Sequence, residues 1–542
     1  MAAIRKVLPK GISAGTFATA LREITNIIGT DNVIVDDEKI VPYEKIMMPV
    51  PDHQHAPSAV ITPGSVDEIQ RIMKVLNRHR IPVYPISTGK NIGYGSAAPV
   101  QRGQVVMDLR RMNRILDVDP ELCTALVEPG VTYQQLYDYL QEKKLPLWFS
   151  CPAPSAIAGP LGNMVDRGIG YTPYGEHFLF SCGMEVVLAS GEVLRTGMGA
   201  MAKSNTWQVF KWGYGPTLDG IFTQSNYGIV TKMGMWLMPA PPDFRPFCIQ
   251  YPNETDIVKI VEALRPLRVA MVIPNAVVIA HTLWEAPCTP VKRSDYHRGP
   301  GAISDAAVKK IQEDHGIGAW NVYAGLYGTK ETNDANWKII EAVAAASGGK
   351  IITQDQSRGS EALQYRFDLM KGKPNLGEFG LYNWRGGGGS IWFAPVSQAK
   401  GAETLKQMKM AKNILGKYGF DYVGEFVVGW RDMHHVIDLL YDRSDPEQTK
   451  QAYSCYEELL HTFAAEGYGV YRASTAFAEK SPRPMVRSSA TWRKGSRRRS
   501  TPTTSSPRDV AASAYRRRRQ HEGIQAVHRW GMGALLDGHR AR

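Results

Sequence analysis

Residues 82 to 99, Pro-Val-Tyr-Pro-Ile-Ser-Thr-Gly-Lys-Asn-Ile-Gly-Tyr-Gly-Ser-Ala-Ala-Pro, run an apolar strand directly into Gly89, Gly93 and Gly95. Glycines this dense at a strand end allow a tight turn in which consecutive backbone N–H groups face one point. In one reading the loop is a cradle for a pyrophosphate, with Ser87, Thr88, Asn91 and Ser96 adding donors at its rim. In the other it is an ordinary Gly-rich turn. The spacing G-x-x-x-G-x-G is not the Rossmann fingerprint, and no Walker A pattern occurs.

The flanking residues place the loop in an α/β unit. Ser13 precedes a helical apolar rhythm over Gly15 to Ile28, closed by a turn at Gly29. Ser58 to Thr62 reads as a strand, and Ser65-Val-Asp-Glu68 as a capping box opening a helix. Strands are expected at Val105 to Leu109 and Ala125 to Glu128, with Thr132 capping a helix that ends near Lys144. The stretch Gly159 to His177 is too irregular for a helix or strand and too rich in polar anchors for a linker, which suggests a ligand-holding loop. Met184 to Thr196 reads as a hairpin, and Phe222 to Gly234 returns to its sheet. Ala240-Pro-Pro-Asp243 marks a boundary, beyond which α/β units run through Lys373.

The formal charge of +12 raises the question of a nucleic-acid partner. Residues 481–542 hold 15 of the 64 Lys and Arg and 3 of the 52 Asp and Glu, so residues 1–480 are balanced and carry no basic footprint. No apolar run is long enough to cross a bilayer, and the first ten residues are too poor in apolar residues for a secretory core, so membrane insertion and a signal peptide are not expected. The six cysteines form no CxxC, CxxCH or zinc spacing and read as buried thiols, which excludes haem attachment on this chain.

Farther on, Glu378 to Ser390 combines a carboxylate, a phenol and four consecutive glycines. It is either a Gly-rich hairpin tip with a packed tyrosine or backbone passing close to a flat ligand. Glu425 to Asp438 reads as two strands joined at Gly429. Period two puts His434, Val436 and Asp438 on one face and His435 on the other, so the adjacent histidines cannot share a metal. His434, near Glu425 and Asp438, suits proton transfer or a purely structural hydrogen bond.

Six segments in order carry a resemblance: STGKNIGYGSAAPVQRGQV, GYTPYGEHF, TWQVFKWGYGPTLDG, TLWEA, FGLYNWRGGGGS and RDMHHVIDLLYDR. From about Leu8 to Lys480 the chain resembles the flavoproteins of the 4-cresol dehydrogenase (p-cresol methylhydroxylase) group in the vanillyl-alcohol oxidase family. The resemblance implies an α+β fold, a two-subdomain FAD-binding domain of vanillyl-alcohol oxidase type with an α+β cap domain over the flavin. The expected layout is an N-terminal segment over 1–53, the FAD-binding domain over 54–239, the cap over 240–480 and a basic low-complexity tail over 481–542.

By the same resemblance Ser87, Thr88, Gly89, Lys90, Asn91, Gly93, Tyr94 and Gly95 hold FAD, with Asn163, Tyr171 and Ile229 completing its envelope and Tyr382 joined to it covalently. Tyr94, Tyr471 and Arg472 match the family's clamp for a phenolate. Glu378, Glu425 and His434 are candidates for activating water and moving protons, and Trp392 for an aromatic wall. The implied reaction takes hydride from the para α-carbon of 4-cresol to the flavin, leaving a quinone methide that water converts to 4-hydroxybenzyl alcohol and then, after a second oxidation, the aldehyde. Electrons would pass to a separate small c-type cytochrome subunit, which suggests a periplasmic location, and the flavoprotein is expected to be a homodimer.

An O2-using phenol oxidase is the alternative. Related oxidases carry an aspartate in a Cys-Pro-Asp-Leu loop where this chain has Cys151-Pro-Ala-Pro154. A non-catalytic flavin-binding or nucleic-acid-binding protein finds support only in the basic tail. The resemblance stops near Lys480, and the family's Asp-Pro-Asn and Ala-Pro-Gly ending, with its further clamp arginine, does not follow. The tail is therefore expected to be an out-of-frame reading of that ending, and such a chain could be inactive. Translating the downstream DNA in the other two frames tests this.

Overall fold

The computed structural model describes residues 6–357 and 360–481. The expected tail, apart from Ser481, lies outside the described residues. Local chemistry sets several elements as expected. Ser13 accepts the Thr16 N–H at the start of helix Ala14–Ile28. Ser65 accepts the Glu68 N–H opening Val66–His79, while Glu68 reaches back to the Gly64 N–H at 2.7 Å. Thr132 caps Tyr133–Glu142 in the same way.

Three main sheets form the scaffold. The first orders its strands Val33–Ile34, Ala59–Ile61, Val105–Asp108 and Val83–Ile86, the last three parallel. Helices Ala14–Ile28 and Val66–His79 bury Phe17, Ile24, Ile69 and Ile72 against Ala59, Ile61, Val105 and Met107. Residues 14–34 of the expected N-terminal segment thus belong to this layer. The second sheet is antiparallel, in the order Ile115–Asp119, Thr124–Val127, Gly228–Trp236, Ser181–Leu188, Val193–Arg195. It contains the expected hairpin and the returning strand.

The third sheet is the large antiparallel one after residue 240, running Lys350–Thr353, Asp243–Tyr251, Trp320–Gly328, Val277–His281, Gly424–Val428, Asp432–Tyr441, Gly389–Phe393. Strand alternation divides its residues cleanly. Phe247, Ile279, Val322, Phe426 and Ile437 face a core closed by helices Ile257–Val269, Gly401–Lys417 and Pro446–Ala465. Cys248, Val278, Tyr323, Val427, Val436 and Leu440 face the opposite way, into a core shared with Tyr133, Met184 and Tyr382. Glu425, His434 and Asp438 emerge on that second face and are buried.

The structure corrects one local expectation and removes one of the two readings of another segment. Gly159–His177 is not wholly irregular, because Pro160–Val165 forms a short helix whose first turn rests on the glycine loop. The Gly-rich segment is not a hairpin tip: Gly377–Asn383 winds as a 3-10 turn, and the glycines lead into strand Gly389–Phe393.

Candidate active site

Strand Val83–Ile86 delivers the chain into the glycine loop. Gly89, Gly93 and Gly95 have φ of 67°, 76° and 130°, in the region that favours glycine. A Cβ on Gly93 would collide with the Trp392 ring, and one on Gly95 with Thr475. The loop is bound to the second half of the chain at both points: the Trp392 N–H donates to the Gly93 carbonyl at 3.0 Å and the Thr475 N–H to the Tyr94 carbonyl at 2.8 Å. Tyr94 and Ser96 turn their N–H groups inward onto the Asn91 carbonyl. Among the described residues the amides of Gly89 to Gly93 donate to no protein acceptor. Ser87, expected at the rim, instead donates its hydroxyl to the Pro129 carbonyl at 2.5 Å.

Asn163, on the short helix, shares a 2.5 Å hydrogen bond with His177 Nδ1. Burial holds the His177 imidazole down at about 3, so it is neutral. Ile229 sends its side chain into the core of the first layer, next to Val187 and Ile69.

Tyr94, buried at the end of the loop, meets Tyr471 edge-on with ring centroids 6.5 Å apart. The Arg472 guanidinium stands over both rings, 5.4 Å from the first centroid and 5.5 Å from the second. It is fixed from behind by the Asp166 carbonyl at 2.8 Å and carboxylate at 3.3 Å. Burial pushes the Tyr94 phenol well above its ordinary value, which keeps it a proton donor. His434 lies against Tyr471 with centroids 4.5 Å apart. Its carboxylate partner is Asp432 at 3.1 Å, two residues back on the same strand face, rather than Glu425 or Asp438.

Trp392 forms a wall, edge-on to Tyr94 at 6.0 Å and to Trp284 at 5.8 Å. Behind it lies a chamber of carboxyl groups. Trp284 Nε1 donates to Glu378 at 2.9 Å. Glu425 accepts from Arg366 at 2.9 Å, and the same guanidinium reaches Glu285 at 3.0 Å and the Tyr171 hydroxyl at 3.0 Å. Burial, reinforced by the charge of Glu425, raises the Glu378 carboxyl far out of the usual range. The 3-10 turn that carries Glu378 also carries Tyr382, and Asp421 anchors it by accepting from Trp384 Nε1 at 3.0 Å. Asp438, on the same face of its strand as His434, accepts from the Ser390 hydroxyl at 2.6 Å. Burial pushes the Asp438 carboxyl up to about 7.

The site therefore brings together Tyr94, Tyr471, Arg472 and His434 on one side of Trp392 and Glu378, Glu425 and Tyr382 on the other. Arg366 and Glu285 escaped sequence analysis. Glu285 lies within TLWEA, a segment that carried the resemblance, whereas nothing around Arg366 marks it.

The residues fit a flavin. The hydroxyl of Tyr382 and Nε2 of His177 are buried with no protein partner among the described residues, although such atoms are normally satisfied. The Tyr382 hydroxyl and the amides of Gly89 to Gly93 offer donors to a ligand both polar and flat, and His177 Nε2 offers an acceptor, because the ring proton on Nδ1 is given to the Asn163 carbonyl.

The FAD binding domain family matches residues 57–197. The chain is 59% identical over 475 residues to the 4-cresol dehydrogenase [hydroxylating] flavoprotein subunit of Pseudomonas putida, covering 88% of this chain and 91% of that one. The crystal structure of p-cresol methylhydroxylase with substrate bound superposes with a TM-score of 0.86 at 60% identity, over 87% of this chain and 92% of that one. The 4-ethylphenol oxidase of Gulosibacter chungangensis, in its isoeugenol complex, gives 0.85 at 37% identity over the same shares. With the expected α+β architecture and FAD-binding domain in place, the chain belongs to the hydroxylating 4-cresol dehydrogenase flavoproteins, a family of FAD-dependent oxidoreductases.

Proposed function

We propose that this chain oxidises and hydroxylates 4-cresol and related 4-alkylphenols and passes the electrons to a small c-type cytochrome subunit. The observation that carries the reading is the buried corner where Arg472 stands over Tyr94 and Tyr471. A fixed cation beside two phenolic donors favours a phenolate over a phenol. Glu378 and Glu425, across the Trp392 wall, supply carboxyl groups for water.

In this reading the loop from Ser87 to Gly95, with Asn163, Tyr171 and the backbone at Ile229, holds FAD, and Tyr382 bonds to it covalently. When bound, FAD supplies the acceptor for the electron pair taken from the substrate. Tyr94 and Tyr471 donate hydrogen bonds to the phenolate oxygen, and Arg472 balances its charge. Electron density pushed into the ring favours loss of hydride from the para α-carbon and yields a quinone methide. Water then adds at that carbon, giving 4-hydroxybenzyl alcohol, and a second oxidation gives the aldehyde. His434 packs on Tyr471 and orients it, with Asp432 holding the imidazole. A homodimer of this flavoprotein completes the assembly.

Steady-state oxidation of 4-cresol, with O2 compared against a cytochrome or dye acceptor, tests the proposal. Fast turnover with the acceptor and slow peroxide release are expected. Rapid peroxide formation would move the protein to the oxidase reading.

A further inference from the structure

Arg366 stands at the centre of the carboxyl chamber with its side chain fully buried. It donates to Glu425, to Glu285 and to the Tyr171 hydroxyl, whereas Glu378 is held by Trp284 and shares no hydrogen bond with the guanidinium among the described residues. His434 and Asp438 lie on the sheet face of Glu425, on either side of its cross-strand partner Val436, and the other titratable groups facing this point are the phenols of Tyr171, Tyr323, Tyr365 and Tyr382 and the thiols of Cys248 and Cys288. Burial holds every one of these phenols and thiols above its ordinary value, so they stay neutral. One cation is left among three carboxyls. In so dry a space the three cannot all ionise, and a proton settles best on the carboxyl that the guanidinium does not touch.

We propose that Arg366 is a positioning residue that gives the two carboxyls opposite roles, keeping Glu425 as the base that receives a proton from water and leaving Glu378 as the neutral acid that orients that water. The inference rests on the phenol-hydroxylating reading and deepens it. In the step concerned, the water oxygen bonds to the benzylic carbon of the quinone methide and its proton passes to Glu425. The displaced π pair returns through the ring to the oxygen held by Tyr94, Tyr471 and Arg472, regenerating a phenolate. Glu285, also bonded by the Tyr323 hydroxyl at 2.9 Å, competes with Glu425 for the guanidinium.

Single-turnover oxidation of 4-cresol by the holoenzyme, without an external acceptor, tests this through the absorbance decay of the quinone methide at a series of pH values. The first-order rate constant does not depend on the fraction of protein loaded with flavin. In wild type the decay accelerates to a plateau as Glu425 ionises. Arg366→Met should raise the midpoint by roughly 1–3 pH units. Arg366→Lys should keep it near wild type, and Glu285→Gln, which preserves shape while removing the competitor, should lower it. If Arg366→Met fails to fold, Glu285→Gln decides alone. A profile for Arg366→Met that superimposes on wild type, or a Glu285→Gln midpoint that stays or rises, overturns the proposal. Glu425→Gln separates the two levels: decay as fast as wild type sinks the choice of Glu425 as base, whereas slowed decay beside an unshifted Arg366→Met profile sinks only the role of Arg366.

Discussion

Replacing Gly93 with alanine probes whether the glycine loop is shaped by its ligand alone or also by the cap. Gly93 has φ of 76°, and Gly386 has φ of 77°. A Cβ on Gly386 meets nothing within 4 Å, whereas one on Gly93 overlaps three ring atoms of Trp392. Both substitutions carry the left-handed backbone cost, about 1–2 kcal/mol. Only Gly93→Ala adds overpacking against a ring held between Tyr94 and Trp284, roughly 1–3 kcal/mol more. The summed cost of Gly93→Ala is thus about 2–5 kcal/mol, and the excess over Gly386→Ala isolates the contact. Urea unfolding of the three proteins, read by tryptophan fluorescence and far-UV circular dichroism together, measures it. Shortening the ring in Gly93→Ala/Trp392→Leu should recover part of the excess as a coupling energy. Equal destabilisation by Gly93→Ala and Gly386→Ala would refute the idea that this glycine is needed for the approach to Trp392.

Three further outcomes are expected. Tyr382→Phe should release all its flavin on acid precipitation while wild type keeps a yellow pellet; equal retention would remove Tyr382 as the attachment point. Asp438 has its carboxyl raised from 3.8 to about 7 by burial, so the folded state holds a proton that the unfolded state releases. Stability therefore falls as pH rises from about 4 to about 7, by up to ~1.4 kcal/mol per pH unit, and Asp438→Asn should flatten that slope. A slope unchanged in urea titrations of the variant would show that Asp438 is not its source. Arg472→Lys replaces a planar cation over two rings with a point charge, and should raise KM for 4-cresol about tenfold or more. An unaltered KM would take Arg472 out of the phenolate clamp.

The elements legible in the sequence are those decided by near neighbours. Ser13, Ser65 and Thr132 sit three residues from the N–H groups they cap, so each helix start is written within one turn. The period of two over residues 432–441 likewise fixes that His434 and Asp438 share a face and His435 lies behind it, where Tyr422 bonds it at 2.8 Å. The helix Pro160–Val165 escaped because six residues without a side-chain cap lack a local signal; it forms where Gly159 and Gly162 allow close packing on Ser87.

The chemistry of the chamber depended on partners far apart in the chain. Arg366 meets Glu425 across 59 residues, Glu285 across 81 and Tyr171 across 195. Which carboxylate accepts from which cation follows from strand order in the large sheet, which places Val277–His281 beside Gly424–Val428 and leaves His434 opposite Val427 rather than Glu425. A local pattern specifies the face on which a side chain emerges, because backbone geometry repeats every two or 3.6 residues. It cannot specify what that face meets: the partner is selected by burial, where a charge must find a counter-charge or take up a proton, and that choice exists only once the layers have closed.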